Sequence, residues 1–155
     1  MNTQRLTSAL EANLEAELAG KTAQCALMQA QEAAIRANDS SALEAAGEKL
    51  LAELGAGVER ARVRAQLLVD LAAELDVAPA RVESIARALG SGGARLAELR
   101  TELRAICARS LTAGRRLSVL VRAHGALIEQ ALGRFLAPDP SGAPLGRGSL
   151  VDARA

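Results

Sequence analysis

Few side chains in this sequence could do chemistry. His124 is the only histidine, and proton transfer or metal ligation near neutral pH would start from it. It sits four residues from Leu120 and four from Ile128, at helical spacing. No second His, Cys or carboxylate stands at a ligand interval, so it reads as a core or interface histidine. Cys25 and Cys107 are far apart and match no metal-ligand pattern. Each falls within an apolar helical repeat, where a free thiol acts as a small hydrophobe. Glu11, Glu15 and Glu17 read as a solvated helix face with no substrate pocket. Gly90-Ser91-Gly92-Gly93 lacks the Lys-Ser/Thr that makes a phosphate loop specific. The reading is therefore no catalytic residue, no metal site, no cofactor and no enzyme.

The arginines pose a different question. Arg104, Arg109, Arg115, Arg116 and Arg122 lie between Glu102 and Glu129. At ~100° of rotation per residue, Arg104, Arg115 and Arg122 fall nearly in line, opposite a leucine stripe. This is a solvated face or an electrostatic contact for an acidic protein. Nucleic acid is not indicated, because there is no set of aromatics to stack on bases and no binding motif appears.

Composition says what must position these groups. Half of the 155 residues are apolar, but they are mostly Ala and Leu, with Phe135 the single aromatic. Ala, Leu, Arg and Glu favour helices, whereas strands want β-branched and aromatic side chains. Net charge is +1, with eight acids and four bases in residues 1–57 and the basic excess in residues 58–155. A near-neutral total gives no bulk attraction to nucleic acid or membrane. The first residues lack the apolar run of a secretory signal, and no window reaches the ~18 apolar residues of a membrane span. Free cysteines fit a reducing compartment, so the expectation is a soluble cytoplasmic protein.

Four apolar stripes predict an all-α fold: a long antiparallel helical hairpin, a short helix and a long C-terminal helix in a coiled-coil-like bundle. The spacing of Leu6, Leu10, Leu14, Leu18, Cys25, Met28 and Ile35 predicts a helix over 3–37. Asn38-Asp39-Ser40-Ser41 interrupts it, and Ser41 with Glu44 has capping-box spacing. Leu43, Leu50, Leu54, Val58, Ala61, Ala65, Leu68 and Leu75 predict a second helix over 41–75, continuous through Gly55 and Gly57. Pro79 suits the first turn of a short helix over 79–90, whose face is Val82, Ile85, Ala86 and Leu89. The four residues from Gly90 predict a flexible loop. Leu96, Leu99, Leu103, Ile106, Ser110, Ala113, Leu117, Leu120, His124, Ile128, Ala131 and Phe135 then mark a helix over 94–137. At ~1.5 Å per residue it measures on the order of 65 Å, too long for its short neighbour to cover.

With the helices laid out, the chain resembles the FlgN family of flagellar type III export chaperones. The hairpin junction carrying the likeness reads Ala34-Ile35-Arg36-Ala37-Asn38-Asp39-Ser40-Ser41-Ala42-Leu43-Glu44, and Lys49-Leu50-Leu51 follows it. Leu127-Ile128-Glu129-Gln130-Ala131-Leu132 is similar to the family's Leu-Ile/Leu-x-x-Ala-Leu segment, and Val151-Asp152-Ala153-Arg154-Ala155 to its terminal Tyr-Asp-Ala-Arg-Gly. Val121 and His124 stand where the family usually has an Asn pair, and Val151 and Ala155 where it has Tyr and Gly. The resemblance implies a cytoplasmic chaperone that binds the C-terminal helices of hook-associated proteins, prevents their premature assembly and delivers them to the export apparatus. The last helix is too long for its short neighbour and its stripe widens toward its end, which predicts a partner-binding surface of Leu117, Leu120, Val121, His124, Leu127, Ile128, Ala131 and Phe135; the resemblance also points to this segment. Two other readings stand beside it. One is a coiled-coil scaffold or adaptor that buries its stripe in a homodimer. The other is an all-helical enzyme, for which the stripes offer only Ser110 and His124 as inward polar groups.

Residues 138–155 hold three of the four prolines and three glycines. Such a segment buries too little apolar surface to offset its ordering entropy. The expected organisation is a helical bundle domain over 1–137 and a disordered tail over 138–155. Truncation after Ala137 is therefore expected to leave the thermal midpoint unchanged in circular dichroism. A large drop would show that Leu145, Leu150 or Val151 packs on the bundle.

Overall fold

The computed structural model describes residues 2–136, and the expected tail lies outside them. The described residues form an all-α architecture without strands: α1 (Asn2–Ala37), α2 (Ser40–Glu74), α3 (Val82–Ala88), a 3₁₀ turn (Gly90–Gly93) and α4 (Ala94–Leu136). None of the helices is long and apolar enough to cross a membrane.

The hairpin turn is made by two residues of different character. Asn38 adopts a left-handed conformation with φ 53°, which Asn tolerates better than most residues. Asp39 is then the N-cap of α2, its carboxylate accepting from Ala42 N–H at 2.9 Å. This corrects the expected Ser41–Glu44 cap. A carboxylate both satisfies an orphan amide and meets the positive end of the helix, so the helix starts one residue earlier.

Cross-helix pairs fix the hairpin's direction. Thr3 bonds Glu74, Asn13 bonds the Arg60 carbonyl, and Gln24 bonds the Glu53 carbonyl. The partner number falls as the α1 number rises, so the two helices are antiparallel. α2 runs unbroken through both internal glycines. Gly57 marks a close approach, with the Gln24 amide 3.4 Å from where a Cβ would stand, whereas nothing lies within 4 Å at Gly55. For α4 the partner number rises with that of α1: Glu15 meets Arg95, Met28 meets Gly114, and Glu32 meets Arg116. This part of α4 therefore runs parallel to α1.

Between α2 and α4 the chain departs from expectation. The short helix begins at Val82, not Pro79. The Ala78–Pro79 peptide is cis, and Arg81 is extended as the N-cap while its N–H bonds the Pro79 carbonyl at 2.8 Å. Pro79 thus belongs to the turn before the helix. The glycine run is ordered as a 3₁₀ turn rather than a free loop. Gly90 takes a positive φ of 59°, and Gly93 is buried so close to α3 that a Cβ would collide with the Ala86 backbone. Arg100 of α4 reaches back to Glu83 of α3 at 2.6 Å.

The core is concentrated where all four helices meet. Leu10, Leu14, Leu71, Ile85, Leu96 and Leu99 are sealed from solvent there. A smaller cluster of Cys25, Met28 and Ile106 lies further along α1 and α4. The α2 stripe is only partly inward. Its buried residues are Ala46, Leu71 and Ala72, whereas Leu54 and Val58 face solvent. The chain divides into two compact units, Met1–Val121 and Arg122–Ala155, and the described part of the second is the helical stretch 122–136. Leu99→Ala is expected to cost about 2–5 kcal/mol in urea unfolding, since it opens a cavity in the main cluster. Leu111→Ala on the same helix, exposed in the folded chain, is expected to stay within about 0.5 kcal/mol.

Candidate functional site

Two features of the bundle could serve a function beyond folding: a polar seam and an apolar face. The seam runs along the hairpin. Gly20 is buried on α1 because the Arg60 guanidinium and the Glu53 carboxylate of α2 lie directly against it, paired with each other. Arg64 pairs with Glu17, whose side chain is only 11% exposed. This corrects the reading of Glu17 as a solvated carboxylate; Glu15, by contrast, is half exposed and meets Arg95. Gln24 is 3% exposed and reaches the Glu53 carbonyl.

The seam's counterpart on α4 is Arg116. Its Nε and Nη2 donate to the two carboxylate oxygens of Glu32, each at 3.0 Å. Arg36 stands 3.7 Å from the same carboxylate. Glu32 is one of three buried polar residues among those described. The Arg116 hydrogen bonds hold its carboxyl below the usual glutamate range; burial opposes them, and the charges of Arg116 and Arg36 add to them. The same bonds raise Arg116. Parallel N–H donors matched to a carboxylate give both charge and orientation, so this pair locks the parallel register of α1 and α4. The arginines singled out by alignment, Arg104, Arg115 and Arg122, are all exposed. Arg116 is one position off that line. Its role was hidden because a sequence does not show which acid of α1 comes opposite.

Nothing in this arrangement converges as a catalytic centre would. Cys25 is buried but Cys107 is exposed, so the second cysteine is not the core residue that its repeat suggested. A groove of about 360 Å³ between α1 and α4 is lined by Cys25, Gln29, Arg109, Thr112 and Arg116. It pairs no nucleophile with a base. Among the described residues no three His, Cys, Asp or Glu side chains are grouped to hold a metal.

Apolar side chains of α4 reach the surface in each unit, taken separately. In the first unit Leu117 is half-buried and packs with the Cys25, Met28 and Ile106 cluster. Leu120 is half-buried and Val121 exposed. In the second unit His124 is half-buried, Leu127 is 64% exposed, Ile128 49% and Leu132 53%. Ala131 is exposed beside them, and Phe135 falls in the last turn of the helix. Leu132 was absent from the expected face because it lies at the stripe's edge. The fold is thus a helical bundle with an apolar helix surface. No family model, no curated protein and no solved structure matches this chain.

The Glu32 pair generates a pH dependence with a definite sign. A carboxyl whose folded pKa is depressed contributes stability that is present above its unfolded pKa and lost as pH falls through the folded value. The thermal midpoint is therefore expected to fall as pH drops below the ordinary glutamate range. Glu32→Gln is expected to lower the midpoint at pH 7 and to flatten this acid limb. An acid limb unchanged in the variant would assign the pH response to other carboxylates.

Proposed function

We propose that the protein is an export chaperone of the FlgN type. In this reading it works in the cytoplasm, holds an amphipathic helix from the C-terminal part of a hook-associated flagellar protein, and hands it to the type III export apparatus. The observation that carries the reading is the exposure of Leu127, Ile128 and Leu132 in one stretch of helix. Adjacent exposed aliphatic side chains on a helix offer what an amphipathic client helix needs, since such helices dock by laying their own apolar face into a groove or along a stripe. The order of the sequence motifs supports the same reading: the hairpin junction, Lys49-Leu50-Leu51, and the segment Leu127–Leu132 stand in the family's sequence. A holding function of this kind needs no cofactor, because burial of apolar surface supplies its free energy.

Each Leu or Ile of a client buried on this face would contribute roughly 1.5–3 kcal/mol. Introducing a carboxylate there instead forces an unpaired charge out of water. The double variant Leu127→Asp, Ile128→Asp is expected to weaken a hook-associated C-terminal peptide at least tenfold in calorimetry, with helicity unchanged in circular dichroism. Equal affinity for the variant would remove this face from consideration, and a loss of helicity would show that these side chains are ordinary core.

A further inference from the structure

Three helices of the first unit share a groove of about 380 Å³: Lys21 and Gln24 line it from α1, Leu54 and Val58 from α2, and Cys107 from α4. Leu54 is 45% exposed and Val58 73%, and the preceding turn of α2 adds Leu51 at 71%. One turn to either side of Cys107 stand Arg104 and Leu111, both exposed. At ~100° per residue they lie within about 60° of Cys107, on the side away from Ile106, which is buried with Cys25 and Met28 of α1. The charge here is one-sided. The acids are already matched, Glu17 with Arg64 and Glu53 with Arg60. Lys21 is half-buried, and its ammonium donates to the Gln24 amide oxygen at 2.9 Å. Neither Lys21 nor Arg104 forms an ion pair among the described residues. The register set by Glu15 with Arg95 and Glu32 with Arg116 puts these two cations at one level of the bundle. Nearer the hairpin turn, Gln31 meets Gly47 and Glu32 meets Arg116, so Arg115 comes level with Glu48. The unbalanced positive charge therefore centres on Lys21 and Arg104.

We propose that this groove receives an acidic amphipathic helix of a partner protein, with its aliphatic stripe on Leu54, Val58 and Leu111 and a carboxylate between Lys21 and Arg104. Charge complementarity names the sign of the partner: a half-buried ammonium without a counter-charge, set among exposed aliphatic side chains, is matched by a carboxylate carried on an apolar surface. The walls name its conformation. Leu51, Leu54 and Val58 follow steps of three and four residues, the spacing by which one helix packs along another. These walls are helix interiors whose backbone groups are already bonded, so they offer an extended strand no free donors or acceptors. A small inorganic anion, or a polyanion without apolar groups, would leave the aliphatic side chains in water and gain nothing from them. A helix laid along α2 and α4 over α1 gives a four-helix arrangement. The surface shares no residue with the stretch Leu127–Leu132, and the proposal does not rest on the export reading.

Calorimetry of the intact chain with a designed peptide tests this. The peptide has about five helical turns, Leu at helical spacing and Glu flanking the stripe. It is expected to bind with a dissociation constant below about 100 µM, and the same peptide with Lys in place of Glu is expected to bind more weakly. Lys21→Glu with Arg104→Glu is expected to weaken the Glu peptide about tenfold and to reverse the preference, so that the Lys peptide binds the double variant better. Alkylation of Cys107, the exposed cysteine, is expected to slow when the Glu peptide is added to the wild type. The peptide comparison and the Cys107 protection need no variant, so they decide the matter even where a substitution disturbs the fold. No binding, equal binding of the two peptides to the wild type, or unaltered alkylation of Cys107 overturns the proposal. Equal binding of polyglutamate without leucines also overturns it, by showing a general polyanion surface instead.

Discussion

The sealing of six aliphatic side chains at one end of the bundle is the contact on which the rest depends. Leu10 and Leu14 of α1, Leu71 of α2, Ile85 of α3, and Leu96 and Leu99 of α4 exclude water together. No other cluster among the described residues brings all four helices into one place. Helices of 35 residues or more cannot be stabilised along their whole length by so compact a core. Away from it they must be held by weaker or more selective contacts. The chain does this with polar pairs, which contribute less stability than apolar packing but fix which residue comes opposite which.

That division explains the two kinds of helix contact. Along the hairpin, Gly20 makes room for Arg60 and Glu53, while Asn13, Gln24, Glu17 and Arg64 set the antiparallel register. Between α1 and α4, Glu32 and Arg116 do the same for the parallel register. A polar seam on the inside of α2 has a consequence for its outside. The leucines and valines that do not contribute to the seam are left facing water, as Leu51, Leu54 and Val58 do.

The number and type of elements were legible in the sequence for a simple reason. The apolar residues of α1 lie on one face, turned toward α2 and α4, so Leu10, Leu14, Cys25, Met28 and Ile35 are both periodic and buried. α2 misled the periodic reading because its apolar residues lie on two faces while its contact with α1 is largely polar. Leu54 and Val58 were taken for core when the core positions were Leu71 and the small Ala46 and Ala72. The short helix was misjudged at its start, where Arg81 rather than Pro79 sets the boundary. Asp39 outcompeted the Ser41 cap, a choice between adjacent polar residues that spacing alone does not make. On the candidate surface, periodicity located the stripe. Which of its positions are covered is set by tertiary packing, which periodicity does not show. Leu117, half-buried against the second cluster, and Leu127, largely exposed, look alike in the sequence.

The aliphatic character of that surface also limits how it could hold a partner. Burying the still exposed part of Leu127, Ile128 and Leu132 would contribute about 2–5 kcal/mol. Association costs about 4–15 kcal/mol in lost translational and rotational freedom before any side chain is ordered. The gain does not exceed the cost, so three aliphatic anchors without an aromatic among them give a weak and readily reversed complex. Affinity beyond that has to come from the partner's own preorganisation as a helix, or from charges such as Glu129 and Arg134, which are exposed on the same stretch. In the proposed role, weak apolar anchoring would let a bound helix leave again by simple dissociation.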